Sequence, residues 1–172
     1  MKVKLSNIIE AIEMTDQDSD YFLDKETGEI LWANSEVMEN EELEEIDNYL
    51  EEHDCCRLPS SYEINNYSIM VAFTDTRSGE AFDKLARALK GRGAFRHFKD
   101  TVNWLGIDQE WYDFQDNEYK RIAIKWCENN NIEYEESASF FEDVQRLLQS
   151  HFKVTSKSLQ SQLQSRFKQH LK

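Results

Sequence analysis

The chain has 172 residues and a formal net charge of −14, from 34 Asp and Glu against 20 Lys and Arg. Such a field repels phosphate and anionic membrane surfaces, which excludes a general nucleic-acid coat but leaves room for a local basic site. Forty per cent apolar residues, with 4 Trp, 7 Tyr and 10 Phe, supply the core of one domain with an appendage, and no apolar run approaches the roughly 18 residues of a membrane span.

Five Gly and one Pro favour a helix-rich fold. Three cysteines, Cys55, Cys56 and Cys127, have no framework spacing and read as reduced thiols. The N-terminal MKVKLSNIIEAIEM is too polar for a signal peptide. The expected location is cytoplasmic.

Leu5, Ile8, Ile9 and Ile12 predict a helix over 4–14 capped at Ser6. Tyr21–Asp24 and Glu29–Ala33 alternate as strands, joined by the Lys25–Gly28 turn into an antiparallel β-hairpin. Ser35 caps a helix over 36–53 with a Leu43, Ile46, Leu50 stripe. Residues 54–61 read as a linker. The spacing of Ile64, Tyr67, Met70 and Phe73 predicts a helix over 62–74. Thr76 or Ser78 caps a helix that buries Phe82, Leu85, Ala86 and Leu89 and stops at Gly91. Gly93 opens another, with Phe95, Phe98, Val102 and Leu105 inward, ending at Gly106. Asp108 caps a segment with Trp111, Tyr112 and Phe114, and a helix near 117–129 carries Tyr119, Ile122, Ala123 and Trp126.

From Val144 to Lys172 there are basic residues and no acidic one. Helices are expected over 140–152, with a Ser139/Glu142 capping box, and over 157–171, where Leu159, Leu163, Phe167 and Leu171 form a stripe that needs a partner. That partner is the acidic body, another protein or a second copy, the last giving a homodimer through the C-terminal helices. The pair also resembles the first two helices of a helix-turn-helix reader, though the chain ends before a third. The expectation is an α-dominant α+β fold: a small N-terminal antiparallel hairpin, six to eight helices, an acidic globular domain over 1–136 and a basic helical extension over 137–172.

Within this acidic chain, KLARALKGRGAFRHFK at 84–99 holds Lys84, Arg87, Lys90, Arg92, Arg96 and Lys99 and no carboxylate. On a helical wheel over Gly91–Leu105, Arg92, Arg96, Lys99 and Asn103 fall within about 60° of one another. The Phe stripe lies elsewhere, and Trp104 projects beside the basic side. Lys90, Gly91, Arg92, Gly93, Arg96, Lys99, Asn103 and Trp104 are therefore the candidate anion- or partner-binding residues. Gly91 and Gly93 allow close backbone approach at a helix start, and the arginines offer bidentate contacts. The competing reading is an internal clamp, with these cations paired to the 36–54 helix.

The motifs RALKGRGAFRHFKD and EWYDFQD resemble an uncharacterised bacterial family, uncharacterised protein family 0158. So do a DKETGE turn, an LPSSYEINNYSIM segment and the KWCENNNI run. The resemblance covers about residues 5–134 and implies homology without an activity.

Other constellations carry less. Asp16, Asp18 and Asp20 start with calcium-loop spacing, but Tyr21 and Thr27 stand where Gly and Glu are needed. His53, Cys55, Cys56 and Cys127 lack zinc spacing. Cys127 reads as a small buried hydrophobe; a Cys127–His97 nucleophile pair has no orienting pattern. Glu110 and Asp113 are too ordinary here to mean acid–base catalysis. The ten carboxylates of Glu36–Asp54 read as a solvated face or, alternatively, a nucleic-acid mimic. Trp111, Tyr112 and Trp126 read as core. No catalytic, metal or cofactor site is assigned. The leading function is a non-enzymatic binding or regulatory module holding an anionic ligand or protein at 84–99. The alternative is a nucleic-acid-associated factor using that stripe and the basic tail, and an enzyme without a recognisable motif is third.

Overall fold

A computed structural model describes residues 2–136, which lie in one compact unit, Met1–Glu136. The expectations for the C-terminal helices, their dimer and the helix-turn-helix resemblance lie outside the described residues. Helices dominate a small amount of sheet, as expected for an α+β chain. Among the described residues no helix is long and apolar enough to cross a membrane.

A two-residue strand β1 (Val3–Lys4) leads into α1 (Leu5–Met14), then β2 (Ser19–Asp24) and β3 (Ile30–Asn34). α2 (Asn40–Glu52) is followed by β4 (Cys55–Arg57), α3 (Ser61–Ile64), α4 (Asn66–Asp75), α5 (Gly79–Ala88), α6 (Ala94–Leu105), α7 (Asp108–Asn129) and β5 (Tyr134–Glu135). The expected hairpin is present and slightly longer, but it is part of a three-stranded antiparallel sheet in the order β3-β2-β4. The third strand comes from the segment read as a linker: Cys56 pairs with Leu23 and Cys55 with Asp24. This register is held because Leu23 and Leu58 are buried and the Trp126 indole N–H donates to the Arg57 carbonyl at 3.1 Å. A second, parallel ladder pairs Val3 with Tyr134 and Lys4 with Glu135.

The hairpin turn is organised by Asp24, which is fully buried. Its carboxylate accepts the Tyr49 hydroxyl at 2.6 Å and the backbone N–H groups of Glu26 and Thr27 at 2.7 and 3.1 Å. α2 is thereby tied to the turn. The Tyr49 hydrogen bond, with those N–H groups, outweighs burial and holds the Asp24 carboxyl down at about 2.

Several helix ends differ from expectation. α1 starts after Lys4, not at Ser6. α2 starts after Glu39 rather than Ser35, because the Glu42 carboxylate accepts the Glu39 N–H at 3.0 Å. The helix expected over 62–74 is broken at Asn65, whose φ of 51° is left-handed and whose side chain caps α4 by accepting the Ser68 N–H at 3.1 Å. Ser60 and Glu63 form a capping box for α3. Ile107, not Asp108, precedes α7, and the two segments expected over 108–129 are one 22-residue helix.

The core joins α1, α4, α5, α6 and α7 around Phe73, Phe98 and Trp111. Phe73 meets Trp111 at 5.2 Å and Phe98 at 6.1 Å between ring centroids, edge to face, and Phe98 meets Trp111 at 4.8 Å. Phe82 and Phe95, expected inside, are 37% and 51% exposed.

Candidate binding surface on the fifth and sixth helices

α5 and α6 pack against each other and are joined by Leu89–Gly93. Gly91 and Gly93 turn the chain with φ of 83° and 78°, a region closed to most residues with a Cβ. Gly93 is the cap residue of α6, so Arg92 lies before the helix instead of on its first turn. That corrects the wheel drawn from Arg92. With Arg96 as zero, Lys99 and Asn103 lie at about −60° and −20°, Asp100 at about 40°, Trp104 at about 80° and Phe95 at about −100°. The exposed face of α6 is thus a basic centre with an aromatic ring on each flank.

Of the eight predicted residues, Lys90, Gly91, Arg92, Gly93, Arg96, Lys99, Asn103 and Trp104 are all exposed on this turn and helix. Trp104 is 68% exposed, and the Lys84 ammonium lies 3.4 Å from its ring centroid. Lys84 also pairs with Glu80 at 2.8 Å, which lowers the Glu80 pKa. Arg96 reaches Asp100 only at 3.9 Å. Arg87, Lys90, Arg92 and Lys99 make no ion pair among the described residues.

The clamp to the acidic helix is not formed there. In the Glu36–Asp54 segment the ion-paired carboxylate is Asp54, which binds Lys25 at 2.7 Å. Other carboxylates pair with Arg57, Arg77, Lys120 and Arg121, none of which belongs to the 84–99 island. α2 packs beside β3 instead.

Between α5 and α6 runs a groove of about 480 Å³, lined by Lys84, Arg87, His97, Asp100, Thr101 and Trp104. Arg87, His97 and Thr101 were not among the predicted site residues. Their signal was periodic: His97, Thr101 and Trp104 share one side of α6, and Lys84 and Arg87 are three apart on α5. What the sequence did not show is that the two sides face each other. On the other flank, a groove of about 490 Å³ beside Phe95 is lined by Tyr62, Tyr67, Asn65, Asn66 and Gln17. Tyr62 is 90% exposed, and Tyr67 is fixed by its hydroxyl, which donates to the Leu89 carbonyl at 3.1 Å.

The remaining candidates are separated by the fold. Asp16 accepts the Asp18 N–H at 3.0 Å in a local turn, while Asp20 pairs with Arg57 at 3.1 Å. Cys127 is fully buried, and burial first, then the nearby Cys56, pushes its thiol up to about 11. His97 stands in the exposed α5–α6 groove, so the two do not form an activated pair. Among the described residues no group of three or more His, Cys, Asp or Glu side chains is placed to hold a metal ion.

The chain belongs to the Uncharacterised protein family (UPF0158), whose model matches residues 1–151. The match therefore runs past the 5–134 span that the motifs covered, into the tail. The chain is similar to the UPF0158 protein PA5073 of Pseudomonas aeruginosa, with 25% identity over 116 residues, 66% of this chain and 74% of that protein. No solved structure matches.

Proposed function

We propose that this protein is a non-enzymatic binding or regulatory module whose α5–α6 surface holds an anionic ligand or partner. The observation that carries this reading is the set of unpaired cations. Arg87, Lys90, Arg92 and Lys99 have no ionic partner among the described residues, in a chain with 34 carboxylates. Cations clustered and exposed against a net charge of −14 create a local positive potential that attracts and orients an anion. Arg92 and Arg96 supply planar forks for a phosphate or carboxylate, and Lys99 adds a mobile ammonium.

The test is binding of inorganic polyphosphate by the full chain and by the Arg96→Glu/Lys99→Glu double variant, with melting temperatures recorded for both. The reading expects binding to be lost on charge reversal and the melting temperature to stay within about 2 °C, since exposed ion pairs contribute little. If reversal lowers the melting temperature by many degrees and leaves binding unchanged, these cations serve the fold and the proposal is wrong.

A further inference from the structure

We propose that the outer face of α6, together with the aromatic groove beside Phe95, binds single-stranded nucleic acid. Phosphates sit on Arg92, Arg96 and Lys99, and bases stack at Phe95 on one flank and Trp104 on the other. This rests on the anion-holding reading above and names the ligand of the same surface. Three observations carry it.

The first is the order of chemistry around the helix. Exposed aromatic rings flank the cations on both sides, at about −100° and 80° from Arg96. A ligand recognised by charge alone has no use for them. Unpaired bases do, because every base has a stacking face, and cations between stacking rings follow the backbone that joins the bases.

The second is the groove at Phe95. Its volume of about 490 Å³ is enough for a base, and Phe95, Tyr62 and Tyr67 line it. Asn65 and Asn66 use their side-chain oxygens internally, accepting the Ser68 N–H and the Tyr119 hydroxyl. Each thus retains an amide NH₂ as donor for a base carbonyl or ring nitrogen.

The third is the placement of the carboxylates. Asp16 lines the Phe95 groove, while Asp100 lines the Trp104 groove between Arg96 and the ring, 3.9 Å from the Arg96 guanidinium. Either carboxylate can accept from a base N–H, an exocyclic amino group or the imino N–H of uracil and thymine. The centre, where phosphates pass, is Lys99, Asn103 and Arg96. Phe95 and Trp104 are nine residues apart, about 14 Å along the helix axis. Because the two rings also stand about 180° apart around the helix, the path over the exposed face is about 21 Å at a radius of about 5 Å, and a stacked strand covers it with about six phosphates.

The experiment is fluorescence anisotropy of the full chain with labelled 12-nucleotide oligo-U and oligo-dT. The same sequences as duplexes, inorganic polyphosphate, and a peptide copying residues 36–54 serve as competitors. Single strands are expected to bind more tightly than duplex or polyphosphate. Log K should fall with log salt at a slope of about −2 to −3, for three to four neutralised phosphates. Phe95→Ala and Trp104→Ala should each weaken oligonucleotide binding about 5- to 150-fold and leave polyphosphate competition unchanged. Both rings are half or more exposed, so circular dichroism and melting temperature should match the parent chain. A preference for oligo-U over oligo-dT assigns RNA as the source; the reverse assigns DNA.

Equal affinity for polyphosphate, with no effect of either alanine, overturns base stacking and leaves the anion surface standing. Tighter binding of the acidic peptide than of any oligonucleotide also overturns it, in favour of a protein partner. Absence of binding to every polyanion removes both readings together.

Discussion

Phe95 and Phe98 sit three residues apart on one helix, and their alanine variants should behave very differently. Phe98 is fully buried and meets Trp111 and Phe73 edge to face at 4.8 and 6.1 Å. Loss of its buried ring surface costs about 1.5–3 kcal/mol. The two ring pairs add about 0.5–1.5 kcal/mol each, and part of the loss is recovered if neighbours close on the cavity. Phe98→Ala should therefore destabilise by about 3–5 kcal/mol, the usual range for a core phenylalanine. For a chain of this size that is a drop of roughly 6–20 °C in melting temperature. Phe95 is 51% exposed and outside this cluster, so Phe95→Ala should cost less than about 1 kcal/mol. Urea titration followed by tryptophan fluorescence gives both values. Equal costs for the two variants, or a neutral Phe98→Ala, would refute this assignment of the inner and outer faces of α6, and the binding surface with it.

Two further outcomes follow from local geometry. The folded pKa of Asp24 is about 2, below the ordinary aspartate value of about 3.9, so its stabilising contribution is complete above that value and disappears as pH falls toward 2. Tyr49 is pushed up to about 12, first by its bond to Asp24 and then by burial, so its contribution holds below pH 10 and disappears as pH rises through 12. Tyr49→Phe should lower the melting temperature at pH 7, and the gap to the parent chain should narrow between pH 4 and pH 2; a constant gap would contradict the bond. Gly93→Ala places a side chain at a φ of 78°, where the new Cβ meets His97 Nε2 at an ordinary 3.4 Å. The cost is backbone strain, about 1–2 kcal/mol, and a thermal melt unchanged by this substitution would mean that the turn is not left-handed.

What could be read from the sequence was the periodic part. Phe98 and Val102 recur on one side of α6 and are buried, and Trp104 stands off that side and is exposed, because a long amphipathic helix imposes its geometry before any neighbour arrives. Helix starts were less legible. A wheel begun at Arg92 fails because Gly93 turns the chain first. Phe95 lies only about 20° from the buried Val102 on α6, yet in the first turn of the helix it lines the groove with Tyr62 and Tyr67 instead of the core. β4 was missed because three residues beside Pro59 form a strand only when β2 offers an edge. Likewise, β1 and β5 are two residues each and exist only as a pair. The binding surface divides in the same way. Its cations and Trp104 were visible as charge and angle on one helix. The facing Arg87 and the Tyr62–Tyr67 wall come from other elements, placed by the packing of α5 on α6 and by the left-handed turn at Asn65.

The ladder between β1 and β5 has a mechanical meaning. Val3 and Tyr134 are partners, with the Val3 N–H donating to the Glu133 carbonyl at 2.9 Å. The strands run parallel, so tension applied before β1 and after β5 pulls them past each other along their length. Their rungs are then loaded together in shear instead of opening one at a time as in a zipper. Two rungs make a small latch, but it is placed where a pull on the two ends of this unit arrives first, ahead of the helices it encloses.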